Sequence, residues 1–328
     1  MAEEVNIVDA LDARVKRREE RRDFFKAVGG AAMFAGGATI AVGGGFTALQ
    51  AQTAPTELDV LNFALNLEYL EAQFYYYASY GAGLPSSILG GTGTAGAVIA
   101  TGAGAVPFAD VGVRAYAREI ADDERAHVEF LRTAIGATAV AQPVIDVSAT
   151  PTSAFSNAAR AAGLIGTGAT FNPYADDDSF LLGAFIFEDV GVTAYKGAAS
   201  ALINNKTFLE AAAGILAVEA YHAAIVRTTL YGRGIATPSA RLIEATEAIS
   251  NARDSLDGTS DLDQGVANVS DPSGLPTSNI VPLDGNGLAF SRTPGQVLNI
   301  VYLNRAAVTL GGFFPAGVNG TIRASAAN

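Results

Sequence analysis

The chain has 328 residues, 16% charged and 49% hydrophobic, with no cysteine and a formal net charge of −12. Such an acidic surface is expected to exclude nucleic acid and anionic membrane as partners, and the lack of thiols excludes disulfides, thiolate metal ligation and iron–sulfur clusters. The whole excess lies beyond residue 51: seven acidic and seven basic side chains cancel in residues 1–51, leaving 26 acidic against 14 basic in the remainder.

At the N-terminus, Glu20-Arg21-Arg22-Asp23-Phe24-Phe25-Lys26 precedes a weakly hydrophobic run from Ala27 to Phe46 and then Ala48-Leu49-Gln50-Ala51. This resembles a twin-arginine export signal with a peptidase site near Ala51. The alternative is a retained membrane helix, since about 20 apolar residues can cross a bilayer. Seven glycines in that run make it a poor anchor. Export to the periplasm or the extracellular space is therefore expected, with no stable membrane span once residues 1–51 are removed.

Helix signals begin at Pro55-Thr56, a capping-box start, and predict a first helix to about Tyr80, before Gly81. Residues 81–107 read as a connection rich in glycine, threonine and alanine. A second helix is expected from about Asp110 to Ile135. A crossover of some forty residues holding Pro143, Pro151 and Pro173 follows. The third helix is expected over Ser179–Ile203 with Asp178 as its cap, then a tight turn at Asn204-Asn205-Lys206, and a fourth helix from Thr207 to about Tyr231. Pro238–Leu256 reads as a fifth helix and Pro294 to about Ala306 as a sixth, capped by Thr293. Three regions follow: a leader over 1–51, a helical bundle over 52–256 and a loop-rich C-terminal extension over 257–328, packed on the bundle.

Chemistry concentrates in two places. The chain has two histidines, His127 and His222, and each has a glutamate three residues before it, Glu124 and Glu219. With 15 glutamates in 328 residues, chance would produce both pairings roughly once in 500 chains. Three helical residues turn about 300° and rise about 4.5 Å, so each pair shares one face. Two such helices make half of a dinuclear metal site. The other half requires an inward glutamate from each of two further helices. Glu188 follows eight uncharged residues on the third helix, and the first helix offers Glu68 and Glu71. Either could face inward, and Glu68 is preferred because a tyrosine follows it by seven residues, Tyr75, as Tyr195 follows Glu188. Asp123, Asp189, Tyr75, Tyr195 and Glu71 are expected to support the ligands or simply to pack, with Asp123 best placed to orient an imidazole.

The order Glu68, Glu124, His127, Glu188, Glu219, His222 resembles the ferritin-like superfamily of ferritins, rubrerythrins and manganese catalases. The segments FALNLEYLEAQFYYYASYG and GQVLNIVYLNRAAVTLGGFFPAGVNG are most similar to its secreted, desiccation-related branch. The resemblance implies an all-α, ferritin-like four-helix bundle with a long middle crossover, holding two iron or manganese ions. It also implies redox chemistry on a small oxidant, peroxide or dioxygen. Two other roles stand beside it: a structural or self-assembling exported protein stabilised by its metal site, and ferrous-iron oxidation for storage. A homo-oligomer is left open.

Overall fold

Thr56 sets the first helix in place. In the computed structural model, which describes residues 55–270 and 273–328, α1 (Glu57–Tyr80) opens on a capping box. Thr56 Oγ1 accepts the Asp59 amide at 3.2 Å while Asp59 accepts the Thr56 amide at 2.8 Å. It stops at Gly81, whose φ of 72° is left-handed and favours a residue without Cβ. The leader expected over 1–51 lies outside the described residues.

α2 (Val111–Ile135) is capped by the Asp110 carboxylate, which accepts the Gly112 and Val113 amides. Side-chain bonds from Ser79 to Ala117, Arg132 to Tyr69 and Asn62 to Thr138 rise along α2 as they descend α1, so the two helices are antiparallel. The crossover contains α3 (Ala154–Ala161), capped by Ser153, and a two-residue strand, β2 (Ile145–Asp146), paired in parallel with β1 (Val98–Ile99). Phe155 from α3 is fully buried against Phe74 of α1, so the crossover contributes to the core.

The third bundle helix departs from the single span read from sequence. It starts two residues earlier, capped by Asp176, runs as α4 (Asp177–Phe185), breaks at Ile186–Phe187 and resumes as α5 (Glu188–Ala198). No proline marks the break. Instead, Arg253 donates to the carbonyls of Phe185 and Ile186 at 2.6 and 3.4 Å, taking the acceptors that an unbroken helix would use. The Phe185 ring lies against the guanidinium groups of Arg253 and Arg227, 4.8 and 5.5 Å from its centre.

α6 (Lys206–Ala236) is capped by Asn205, whose side chain accepts the Thr207 and Phe208 amides. Asp189–Arg227 and Gly191–Glu219 proximities show that α5 and α6 run antiparallel. By length and composition α6 could cross a membrane, but its buried Glu219, His222 and Arg227 face the other helices. α7 (Leu242–Asp257) follows a 3₁₀ turn at Pro238–Ala240, and α8 (Pro294–Val301) is shorter than expected. The fold is thus all-α apart from two-residue strands, which include β3 (Val269–Ser270) paired with β4 (Pro276–Thr277).

The C-terminal extension is part of the interior. Phe313 is fully buried and meets Phe155 and Phe187 edge-on at 5.1 and 4.9 Å. Arg292, 1% exposed, donates to Asp257, Asp263 and Thr193 at 2.6, 2.5 and 2.9 Å. Arg253 joins Asp263 to Asp189, and Arg227 pairs with Asp189 while donating to four backbone carbonyls at 264, 265, 279 and 280. Burying this many charges is tolerable because each has partners; removing one member leaves the others uncompensated.

Candidate metal centre

Glu124 and His127 leave one face of α2, and Glu219 and His222 leave one face of α6, as a three-residue step requires. Glu68 of α1 and Glu188, the first residue of α5, close the ring, and none of the six is more than 8% exposed. His127 Nδ1 stands 3.2 Å from Glu68, 3.6 Å from Glu124 and 3.9 Å from Glu219. His222 Nδ1 stands 3.0 Å from Glu124 and 3.8 Å from Glu188. Glu124 therefore lies between two imidazoles whose ring centres are 6.4 Å apart. One donor atom from each of Glu68, Glu124, His127 and Glu219 lies within 4.8 Å of the rest.

The donor set fits a metal. Glu124 Oε2, Glu188 Oε2, both Glu219 oxygens and His222 Nδ1 are buried without a hydrogen-bond partner. Although His222 Nδ1 approaches Glu124 closely, the alignment is that of an ion pair and not of a hydrogen bond. Buried, unpartnered carboxylate oxygens are strongly unfavourable unless a cation takes them. Four carboxylates also balance the charge of two divalent ions, and oxygen with imidazole donors suits iron or manganese.

The electrostatics records the same crowding. Burial lifts Glu68 to about 7 and Glu188 to about 8. Burial and then the Glu124 carboxylate push Glu71 and Glu219 well above the usual carboxylate range. For Glu124 burial also acts upward, but the imidazoles of His127 and His222 outweigh it and hold the carboxyl down. Burial disfavours charged imidazoles, yet the surrounding carboxylates raise His127 to about 11 and His222 to about 9. A ring of carboxyls pushed upward by burial is one whose charge a cation would balance.

Supporting contacts cross between helices. Tyr75 donates to Glu188, and Tyr195 donates to Glu68. As the α1 partner advances by seven residues the α5 partner retreats by seven, so α1 and α5 are antiparallel and the two glutamate–tyrosine pairs answer each other across the bundle. Asp123, on α2, lies 3.2 Å from Nε2 of His222 on α6, which leaves Nδ1 of that ring facing inward. Glu71 is buried beside the ring and lies near Gly191, without entering the tight group formed by Glu68. Asp189 sits outside the ring: its carboxylate is held by Arg227 and Arg253.

Two features escaped the sequence reading. A Cβ on Gly191 would run into the Glu219 carboxylate, so the bare backbone of α5 is what admits that side chain. A glycine in mid-helix costs about 1 kcal/mol and so asks for a reason, which was the available signal. Arg253, whose hydrogen bonds hold the break just before Glu188, had no local signal at all.

The sequence model of the family described as Ferritin-like domain matches residues 56–232. The chain is 30% identical over 276 residues to a protein named "Ferritin-like catalase Nec2" of Nesocodon mauritianus, covering 81% of this chain and 84% of the relative. It is 31% identical over 252 residues to "Desiccation-related protein PCC13-62" of Craterostigma plantagineum, covering 74% and 76%. No solved structure matches it. With a helical bundle, a buried carboxylate and imidazole ring, and a family match across more than half its length, the chain belongs to the ferritin-like family.

Proposed function

We propose that this is an exported ferritin-like redox protein that works on hydrogen peroxide at a dinuclear iron or manganese centre. The observation that carries the reading is the buried ring of four carboxylates and two imidazoles with unpartnered donor atoms. Similarity to a protein named a ferritin-like catalase supports peroxide over dioxygen. Glu68, Glu124, His127, Glu188, Glu219 and His222 would hold the two ions. Such a pair supplies the two-electron couple by which one peroxide is reduced to water and a second is oxidised to dioxygen, with no outside donor.

The chain's own residues do the remaining work. Tyr75 and Tyr195 each hold one ligating carboxylate through Oη–H, fixing its orientation. Asp123 accepts from Nε2 of His222 and keeps Nδ1 free to ligate. Glu71, with its carboxyl pushed well above the usual range by burial, holds a proton beside the ring and is placed to exchange it. Phe74, Phe155, Phe187 and Phe313 exclude water from the adjoining interior.

Protein loaded anaerobically with iron(II) or manganese(II) should retain about two ions per chain and release one dioxygen per two peroxides consumed. A retained content near zero overturns the reading. Export belongs to the same proposal and rests on Arg21 and Arg22; changing both to Lys should hold the precursor in the cytoplasm, and unchanged delivery removes that part.

A further inference from the structure

The two seams of the bundle are closed differently. Along the α1–α5 seam, Glu71 and Tyr195 lie under Ile300, Val301 and Phe313 of the C-terminal extension, and the space left is about 20 Å³. Along the α2–α6 seam a cleft of about 550 Å³ is lined by residues of those two helices alone. Its inner wall carries His222, 2% exposed, and behind that ring lie the unpartnered oxygens of Glu124 and Glu188. The cleft therefore ends on the ligand set itself.

Its charge is one-sided. Glu119 and Asp123 line it one helical turn apart on α2, and no Lys or Arg lines it. Asp123 reaches His222 Nε2 at 3.2 Å, and the next residue, Glu124, reaches Nδ1 at 3.0 Å. A cation moving inward meets carboxylates at successive depths, each replacing part of its water shell, and arrives at buried oxygens that have no other partner. A neutral peroxide gains nothing from these charges, and an anion is repelled.

We propose that the α2–α6 cleft is the port through which divalent iron or manganese enters the centre, with Glu119 holding the ion at the mouth and Asp123 passing it to the inner ligands. The inference rests on the dinuclear reading above. Glu119 is exposed and belongs to no ligand set, so substitutions there leave the ring and the fold intact.

The test is the rate at which metal-free protein takes up iron(II) or manganese(II), followed by rapid mixing, chelator quench and elemental analysis. Glu119→Lys should slow uptake on the order of tenfold at low ionic strength, and Glu119→Gln by less, both with the final content unchanged. Salt should slow the wild type and leave Glu119→Lys nearly unaffected. Thr228→Trp, an exposed position on the cleft wall, should slow uptake at any ionic strength. Wild-type protein that loads two ions at a rate indifferent to Glu119 and Thr228 overturns the port and leaves the centre standing. The same holds if Thr228→Trp slows peroxide consumption but not metal uptake, since the cleft then serves the oxidant. Wild-type protein that takes up no metal overturns the centre and the port together.

Discussion

Gly191→Ala tests the ligand geometry through a residue that touches no ion. Gly191 lies one turn after Glu188 on α5, where a methyl group would overlap a Glu219 carboxylate oxygen and come within 3.6 Å of Glu71. Alanine favours a helix interior over glycine by roughly 1 kcal/mol. Forcing a methyl into a filled interior costs about 1–3 kcal/mol. The terms largely offset, so the net loss is about 0–2 kcal/mol and the melting temperature should fall by no more than several degrees. Glu219, however, must swing away from His127, which it now approaches at 3.9 Å. Losing the support of one ligand typically lowers metal affinity about 10–100-fold. Chelator competition with elemental analysis measures that loss, and calorimetry measures stability. Gly214→Ala is the control: a Cβ there meets nothing within 4 Å, so it should stabilise α6 and leave affinity alone. Gly191→Ala protein that keeps two ions at wild-type affinity would refute the placement of Glu219 in the centre.

Glu188→Ala and His222→Ala should each abolish peroxide consumption and weaken metal retention while helical circular dichroism persists; activity surviving in either removes that residue from the centre. Arg292→Met strands Asp257 in the interior, leaves Asp263 with Arg253 as its remaining cation, and should destabilise by about 3–5 kcal/mol, seen as a melting temperature roughly 10 °C lower; an unchanged value would deny the charge network its role. Burial, with Asp263, Asp261 and Asp257 nearby, raises Asp254 to about 7. A raised acid contributes stability that is fully present below its unfolded value near 4 and is lost as pH rises through about 7, so Asp254→Asn should raise the melting temperature at pH 8 and leave it unchanged at pH 4. An equal gain at both pH values would contradict that assignment.

Much of the fold and the proximity of the candidate ligands were legible because the signals are local. Glu124 and His127, like Glu219 and His222, sit a helical step apart, and Thr56, Asp110 and Thr293 announce helix starts within three residues of themselves. What failed was non-local. The break at Ile186–Phe187 depends on a guanidinium 67 residues further along the chain, so the apolar run Phe180–Phe187 gave no warning of it. Asp189 looked like a neighbour of the site because it follows Glu188, but the fold turns it toward Arg227 and Arg253. The tyrosines were visible as a repeated spacing, while their exchange of partners depends on α1 and α5 running in opposite directions, which spacing alone does not state.

The contact between Asp123 and His222 breaks the near twofold repetition of the centre. The position that precedes Glu219, as Asp123 precedes Glu124, is Val218, whose side chain has nothing to offer an imidazole. A carboxylate behind a ring nitrogen makes the opposite nitrogen a stronger electron donor. His222 would therefore be the stronger donor to an ion held beside Glu188. Spacing repeats across the bundle, but the carboxylate behind the ring does not, so the two imidazoles are alike in position and unlike in strength as donors.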